Sequence, residues 1–270
     1  IKSSEQIDEL YTNSNKSAPD AIRGHHPSRF TKEQDFDSEV SKAPKAETDY
    51  IEKIVATPRS SKGLLCVAAV NKNSREIAYF TADEWESLPQ DIKADYAQLG
   101  VSISEDGHEF IIAPTDCKDP DDGDYILPFG GCEVDFEGVE NYSPGAGLWV
   151  TGKNDTKAII EQTSGKTYSY LIVGAPAPEA AWRYKANVYD PLQWYLPSYM
   201  ELGMIYENQD AINDFIFKYI AGGTTINGDA YWSSTECDGG RSLDIVMLNG
   251  SSYAEHRAAF KYVRAVAVVE

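Results

Sequence analysis

Four cysteines are the most reactive side chains of this 270-residue chain. They are Cys66, Cys117, Cys132 and Cys237. None of them belongs to a Cys-x-x-Cys pair or lies beside paired histidines. Zinc sites need several Cys or His ligands at short, regular spacings, so the sequence predicts no zinc site. Four free thiols are favoured, and one disulfide is left open by the spacing.

The histidines offer bases and metal ligands, but their surroundings argue against both roles. His25 and His26 are adjacent, without carboxylate or cysteine partners at ligand spacing, which is typical of solvent-facing side chains. A Ser-His-Asp triad is left open because its members are distant in sequence. Neither a Gly-x-Ser-x-Gly elbow nor a Gly-rich phosphate loop supports one. We therefore expect no enzyme activity, no metal and no cofactor.

An acidic run from Asp116 to Asp124 has five Asp in nine residues, and such a run can hold calcium. It lacks the alternating Asp or Asn positions, the central Gly and the closing Glu of a helix-loop-helix calcium loop. We expect a solvated acidic loop instead.

Net charge excludes two classes of partner. The chain has 24 Lys plus Arg and 43 Asp plus Glu, giving a formal charge of −19. Phosphate backbones and anionic membranes attract basic surfaces, so nucleic-acid binding and membrane association are not expected. The apolar runs are too short to span a bilayer, and we expect no membrane insertion. The chain begins with Ile1 rather than Met, so the absence of a leader decides nothing about secretion.

Composition divides the chain into three parts. Residues 1–58 are polar, with too few apolar residues for a core, and are expected to form an arm that docks on a partner. Residues 59–100 are predicted to form a small α/β unit, and residues 101–270 a larger domain. The fold class is therefore predicted to be α+β.

Local patterns predict the elements of the small unit. The apolar run from Leu64 to Val70 and the run from Ile77 to Phe80 read as a hairpin. Thr81 and Glu84 have capping-box spacing, and a second short helix is predicted to end at Gly100.

The larger domain is predicted to open with a two-stranded ribbon over Val101 to Pro114, followed by two helices. One begins at Asn154 or Asp155, and the other follows Ser198 and has an apolar stripe at Ile212, Phe215, Ile216, Tyr219 and Ile220. Three strands then finish the chain, predicted over Ala230 to Thr235, Ser242 to Leu248 and Val263 to Val269.

An ordered set of residues in this domain resembles the C-type-lectin-like modules of gut Bacteroidetes and their phages. The set comprises Trp194-Tyr195-Leu196-Pro197-Ser198, Glu201-Leu202, Tyr231-Trp232-Ser233-Ser234-Thr235-Glu236, Gly250 and Val263-Arg264-Ala265-Val266. The variable proteins of diversity-generating retroelements are the best-known members. The resemblance covers roughly residues 100–270 and implies an irregular β fold with two helices that displays ligand-binding residues.

The resemblance also sets limits. Calcium-binding animal lectins carry a Trp-Asn-Asp strand, and this chain has Trp232-Ser233-Ser234 there, so calcium-dependent sugar binding is not expected. Formylglycine-generating enzymes share the broad fold and remain a remote alternative. Their chemistry needs two cooperating cysteines, whereas Cys237 stands alone in the display region.

By position, the resemblance places the display region at Cys237 to Tyr262. Alternation supports it independently: Leu243, Ile245 and Met247 are predicted to face the core, and Ser242, Asp244, Val246 and Leu248 to face outward beside a hydrophilic loop at 249–259. A strand covered by another part of the chain is the alternative. The predicted ligand-binding residues are Asp238, Gly239, Arg241, Asp244, Val246, Asn249, Ser251, Ser252, Tyr253, His256, Arg257, Phe260 and Tyr262.

Aromatic and Arg members of this set are expected to dominate the binding energy. Arg264 is expected near the domain edge, and Trp194, Leu196, Leu202 and Trp232 are assigned to the core.

The predicted function is receptor binding or host attachment, at a phage tail fibre tip on the virion surface, with a bacterial surface or secreted adhesin as the alternative. The expected partners are a protein or glycan receptor on a target cell and other subunits of the fibre. A homo-oligomer is predicted, with a trimer favoured.

Overall fold

The computed structural model describes residues 63–119, 123, 125–139, 141–142 and 151–269. Two five-stranded sheets and a set of helices make up these residues, which confirms the α+β class. The predicted arm, with His25 and His26, lies outside the described residues.

The first sheet is antiparallel and has the strand order β10-β4-β3-β1-β2. Its strands are β1 (Leu64–Asn71), β2 (Ile77–Phe80), β3 (Tyr96–Glu105), β4 (His108–Ile112) and β10 (Val266–Ala267). Both predicted hairpins are confirmed. Asp106 and Gly107 make the β3–β4 turn with positive φ angles of 51° and 83°, which suits a two-residue hairpin turn.

Strands from both predicted units lie in this first sheet. The expected boundary between residues 100 and 101 falls inside β3, and β1 pairs with β3 from Leu64 to Asn71. Gly100 was expected to end a helix, and this expectation is wrong, because the helix ends at Ala94. A side chain at Gly100 would put its Cβ 2.1 Å from the Ile112 carbonyl oxygen, so the strand requires glycine for close backbone approach.

The second sheet has the order β5-β9-β6-β7-β8. Its strands are β5 (Ile126–Pro128), β6 (Ala230–Asp238), β7 (Arg241–Val246), β8 (Ser252–His256) and β9 (Phe260–Tyr262). The expected loop at 249–259 therefore contains an edge strand, β8. The small residues Ser252 and Ala254 face inward on β8, so the strand has no apolar alternation by which the sequence could reveal it.

Six α-helices cover the described sheets: α1 (Ala82–Ser87), α2 (Gln90–Ala94), α3 (Gly152–Thr163), α4 (Pro176–Arg183), α5 (Tyr199–Glu207) and α6 (Gln209–Tyr219). Both predicted capping boxes are present, at Thr81 with Glu84 and at Ser198 with Glu201. None of the helices in the described ranges is long and apolar enough to cross a membrane.

Two hydrophobic clusters hold the sheets together. One lies against α5 and α6 and includes Leu202, Leu243 and Ile245, and the other includes Trp194, Leu196 and Trp232. The four residues assigned to the core from sequence are each fully buried, which confirms that assignment. The Trp232 indole also donates a hydrogen bond to the Leu127 carbonyl (2.9 Å), so its polar atom is satisfied inside the cluster.

Candidate functional site

The second sheet has two covered faces over most of its area. Leu243, Ile245 and Met247 are buried on the inner face, as predicted. Ser242 and Asp244 were expected on an exposed outer face, and both are fully buried. Trp232 is the register partner of Asp244, so the second hydrophobic cluster continues over this face of the sheet.

A carboxylate–lysine cluster, formed by Asp244, Glu255 and Lys261, lies on the outer face. Lys261 extends from β9 across β6, and its Nζ lies 3.1 Å from Asp244 Oδ2 and 3.2 Å from Glu255 Oε2. The Asp244 Oδ1 atom accepts a hydrogen bond from the Tyr253 amide (3.2 Å). Burial raises the pKa of Asp244 to about 6, although Lys261 opposes that shift. Glu255 and Lys261 were not among the predicted site residues. Glu255 lies two residues after Tyr253, on the same face of the strand, and this spacing is the signal that could have placed it.

Arg257 is fully buried, so its predicted role as an exposed anchor is wrong. Its guanidinium pairs with Glu236 and donates to the Ser242 hydroxyl (3.0 Å) and to the Val134 carbonyl (2.6 Å). The Phe136 ring centroid lies 4.3 Å from the Arg257 Cζ atom. These contacts fasten the turn after β8 to β6, β7 and the segment before α3.

The other predicted ligand-binding residues do not form one surface. Ser252 is buried, and its hydroxyl oxygen accepts a hydrogen bond from the Tyr199 hydroxyl (2.9 Å). Phe260 and Tyr262 alternate with Lys261 along β9 and therefore point to the opposite face from Tyr253. Half-exposed or exposed positions are Asp238, Gly239, Arg241, Val246, Asn249, Ser251, Tyr253, His256, Phe260 and Tyr262. Asn249 and Ser251 follow the end of β7, whereas Arg241 begins it, so the set is divided between opposite ends of the strand.

At the end of β7 where Arg241 lies, the structure brings together side chains from three segments. We call this group the end patch, and it consists of Arg241, His256 and Tyr170, together with Leu171 and Val173 from the turn that carries Tyr170. Arg241 and His256 are register partners on β7 and β8. The His256 ring packs edge-on against the Tyr170 ring, with centroids 5.6 Å apart. One predicted site residue, His256, thus contacts a turn that was not predicted from the sequence.

The turn carries exposed apolar side chains on a strained backbone. Leu171 and Val173 are 67% and 61% exposed. Tyr170 and Leu171 both have left-handed φ angles, 62° and 59°, which cost non-glycine residues free energy. Pairing of Thr167 with Val173 closes the turn and holds this conformation. Gly165 and Gly174, which flank it, are the only signal of the turn that we find in the sequence.

Polar groups of the end patch have defined roles. The His256 Nδ1 atom accepts the Ala258 amide (3.1 Å), so the proton of the neutral ring is on Nε2, which is then a donor. Arg241 Nε donates to Asp238 (2.7 Å) in a pair that is about 40% exposed on each side. The patch therefore offers apolar contact, an imidazole donor and an ion pair open to solvent.

Arg264 and Asp116 correct two further expectations. Arg264 was expected near the domain edge and Asp116 in a solvated loop, but they form a buried ion pair with Nε 2.8 Å from Oδ1. Arg264 also donates to the Ala113 carbonyl (3.0 Å), and Tyr231 donates to Asp116 (3.2 Å). The closing strand expected over Val263 to Val269 is shorter in the structure, where β10 covers Val266–Ala267.

All four cysteines are free thiols, and the described residues contain no group of three potential metal-ligating side chains.

No protein-family model matches the chain, and neither a curated protein nor a solved structure was found to be significantly similar to it. The resemblance to C-type-lectin-like modules therefore stays a prediction.

Proposed function

We propose that this chain is a receptor-binding or host-attachment protein that acts at the tip of a phage tail fibre and contacts its receptor through the end patch. The observation that supports this best is the pair of exposed apolar side chains, Leu171 and Val173, on the same turn as Tyr170, whose ring contacts His256. Large exposed apolar side chains rimmed by polar groups are typical of protein interaction sites.

The backbone segments that carry the end patch are held in place by other contacts, which suits binding to a receptor. Arg257 follows His256 directly and is fixed by the buried pair with Glu236, so the end of β8 is anchored. Pairing of Thr167 with Val173 fixes the backbone of the turn that carries Leu171 before any ligand arrives. A segment that is ordered in advance loses less conformational entropy on binding, which improves affinity. A C-type-lectin-like scaffold with a variable display surface is part of the same proposal and rests on the sequence resemblance.

The test is a binding assay with matched exposed residues. Fluorescently labelled protein is added to candidate host cells, and the retained fraction is measured for Leu171→Ala and Val173→Ala. The controls are Leu248→Ala and Val188→Ala, because these residues are 74% and 90% exposed elsewhere on the chain. We expect each patch variant to weaken binding by about tenfold, as loss of an interface anchor of 1–2 kcal/mol would. Equal binding by all four variants would overturn the assignment of the patch.

A bacterial surface or secreted adhesin is the second candidate, and it uses the same patch. Genes for tail assembly and a reverse transcriptase with a template repeat beside this gene favour the phage protein. An upstream lipoprotein leader favours the adhesin. Binding to bacterial cells supports the first and binding to host tissue glycans or proteins supports the second.

We also propose that the protein is a homo-oligomer, with a trimer favoured and residues 1–58 docked on a neighbouring subunit. Several copies of the patch on one assembly would raise avidity about 10²- to 10⁴-fold without new contacts. Light scattering of the full chain and of a chain beginning at Gly63 tests this. A monomer in both cases contradicts the oligomer, and an oligomer that persists without residues 1–62 contradicts the docking role of the arm.

A further inference from the structure

The carboxylate–lysine cluster is a group of three reactive side chains that the proposed function does not use. Its members come from three strands of the second sheet, with Asp244 on β7, Glu255 on β8 and Lys261 on β9. The Lys261 amine lies within 3.2 Å of an oxygen of each carboxylate. Holding an amine next to a carboxyl group makes the reaction between them intramolecular, which raises its effective concentration.

The surroundings of the cluster exclude most water. Asp244 is fully buried, and Glu255 and Lys261 are 12% and 19% exposed. Trp232 is the register partner of Asp244 and Leu127 is the partner of Lys261, and both are fully buried. A dry site lowers the concentration of the water that would hydrolyse an amide and strengthens the electrostatic contacts inside it.

We propose that Lys261 and Asp244 condense to an intramolecular amide, with Glu255 as the proton carrier. Glu255 carries one proton from the Lys261 ammonium to the Asp244 carboxylate, which leaves a neutral amine and a neutral acid, and Nζ then attacks Asp244 Cγ. Glu255 next carries a second Nζ proton to the departing Asp244 hydroxyl, which leaves as water. A C–N bond forms, a C–O bond breaks, one water leaves, and Glu255 ends as a carboxylate. No oxidant, metal or activated co-reactant takes part.

Charge and protonation are consistent with this step. Condensation removes one positive and one negative charge, so the net charge of the three side chains is the same before and after. Burial raises the pKa of Asp244 to about 6, which brings its neutral acid form within reach near neutral pH. Burial disfavours the Lys261 ammonium, but the two carboxylates outweigh it and raise its pKa to about 12. The reaction therefore needs Glu255 to remove a proton from the Lys261 ammonium.

The amide would tie β7 to β9 across β6. This link makes the second sheet a cross-linked platform and fixes the strand that carries Arg241 of the end patch. It does not depend on which receptor the patch binds. A covalent cross-link between strands restricts the unfolded chain, so it raises stability as a disulfide does.

Intact mass under denaturing conditions decides the proposal. We expect the full chain to have the mass of its sequence less one water molecule, and we expect proteolysis to yield one joined peptide pair containing Lys261 and Asp244. The full sequence mass for the folded wild-type protein would overturn the proposal and leave an ordinary buried ion cluster. This outcome does not bear on the end patch, whose test is cell binding.

Three variants test the roles of the residues. Lys261→Arg has no attacking amine and should keep its full sequence mass. Glu255→Gln should also keep it, and loss of water in this variant would contradict the proton-carrier role. Asp244→Asn should lose one ammonia molecule instead of water, because an amide leaving group replaces the acid oxygen. Circular dichroism of each variant shows whether it is folded, and the wild-type mass decides the bond independently of the variants.

Discussion

Arg257, which directly follows β8, and Glu236 on β6 form an ion pair that is closed to solvent, with 0% and 1% of their side-chain surfaces exposed. The remaining guanidinium donors reach backbone carbonyls of Gly131, Val134 and Asp238. An Arg can satisfy this many acceptors because its donors form a planar fork. The pair therefore joins the second sheet to the segment before α3.

Truncation of this buried Arg should be costly. We expect Arg257→Ala to lower the free energy of unfolding by about 3–5 kcal/mol, because Glu236 is left as an uncompensated buried charge. Urea unfolding followed by tryptophan fluorescence measures the loss. Arg241→Ala is the matched control, since its pair with Asp238 is partly exposed and should contribute about 1 kcal/mol or less. Equal losses of stability in the two variants would show that Arg257 does not join the second sheet to the segment before α3.

Truncation of a buried leucine should lower stability far more than truncation of an exposed leucine. Leu202→Ala removes a fully buried side chain from the cluster against α5 and should cost about 2–5 kcal/mol. Leu248→Ala changes a residue that is 74% exposed and should alter stability by less than about 0.5 kcal/mol. Thermal unfolding of both variants checks this difference, and an unaffected Leu202→Ala protein would contradict the core assignment.

Two glycine-to-alanine variants distinguish the stability cost of backbone strain from that of a steric clash. Gly107→Ala has open space for its Cβ and should cost about 1–2 kcal/mol from its left-handed φ alone. Gly100→Ala meets the Ile112 carbonyl oxygen and should cost roughly 3 kcal/mol or more, because β3 must move away from β4. Chemical denaturation measures both, and a smaller loss at Gly100 than at Gly107 would be inconsistent with the β3–β4 contact.

The cysteines should react at different rates. Burial raises the pKa of Cys117 to about 12 and that of Cys132 to about 11, so neither forms thiolate in appreciable amount near pH 8. Cys66 and Cys237 are only partly buried and should react with iodoacetamide before Cys117 and Cys132. Mass spectrometry of the native protein should show Cys117 and Cys132 unlabelled, and urea should make both reactive. Rapid native labelling of Cys117 would contradict its burial.

Local patterns in the sequence determined several elements of this protein. The capping boxes at Ser198 and Thr81, the hairpin turn at Gly107 and the apolar stripe of α6 each depend on residues a few positions apart. The buried positions of Trp194 and Trp232 were also predictable, because large apolar side chains at the starts of elements usually build the core. The α+β class followed from these elements.

The candidate site depended on contacts between distant residues. Arg257, Asp244 and Arg264 look like surface residues in sequence, and only their partners Glu236, Lys261 and Asp116 make burial tolerable. β8 pairs along β7 without an apolar pattern of its own, and the turn at Tyr170 reaches His256 from another part of the chain. The sequence by itself determined the two hairpins of the first sheet, the capped starts of two helices and the apolar stripe of α6. Only the tertiary structure decided which charged side chains are core and which residues share a surface, because a buried charge depends on a partner that local spacing does not reveal.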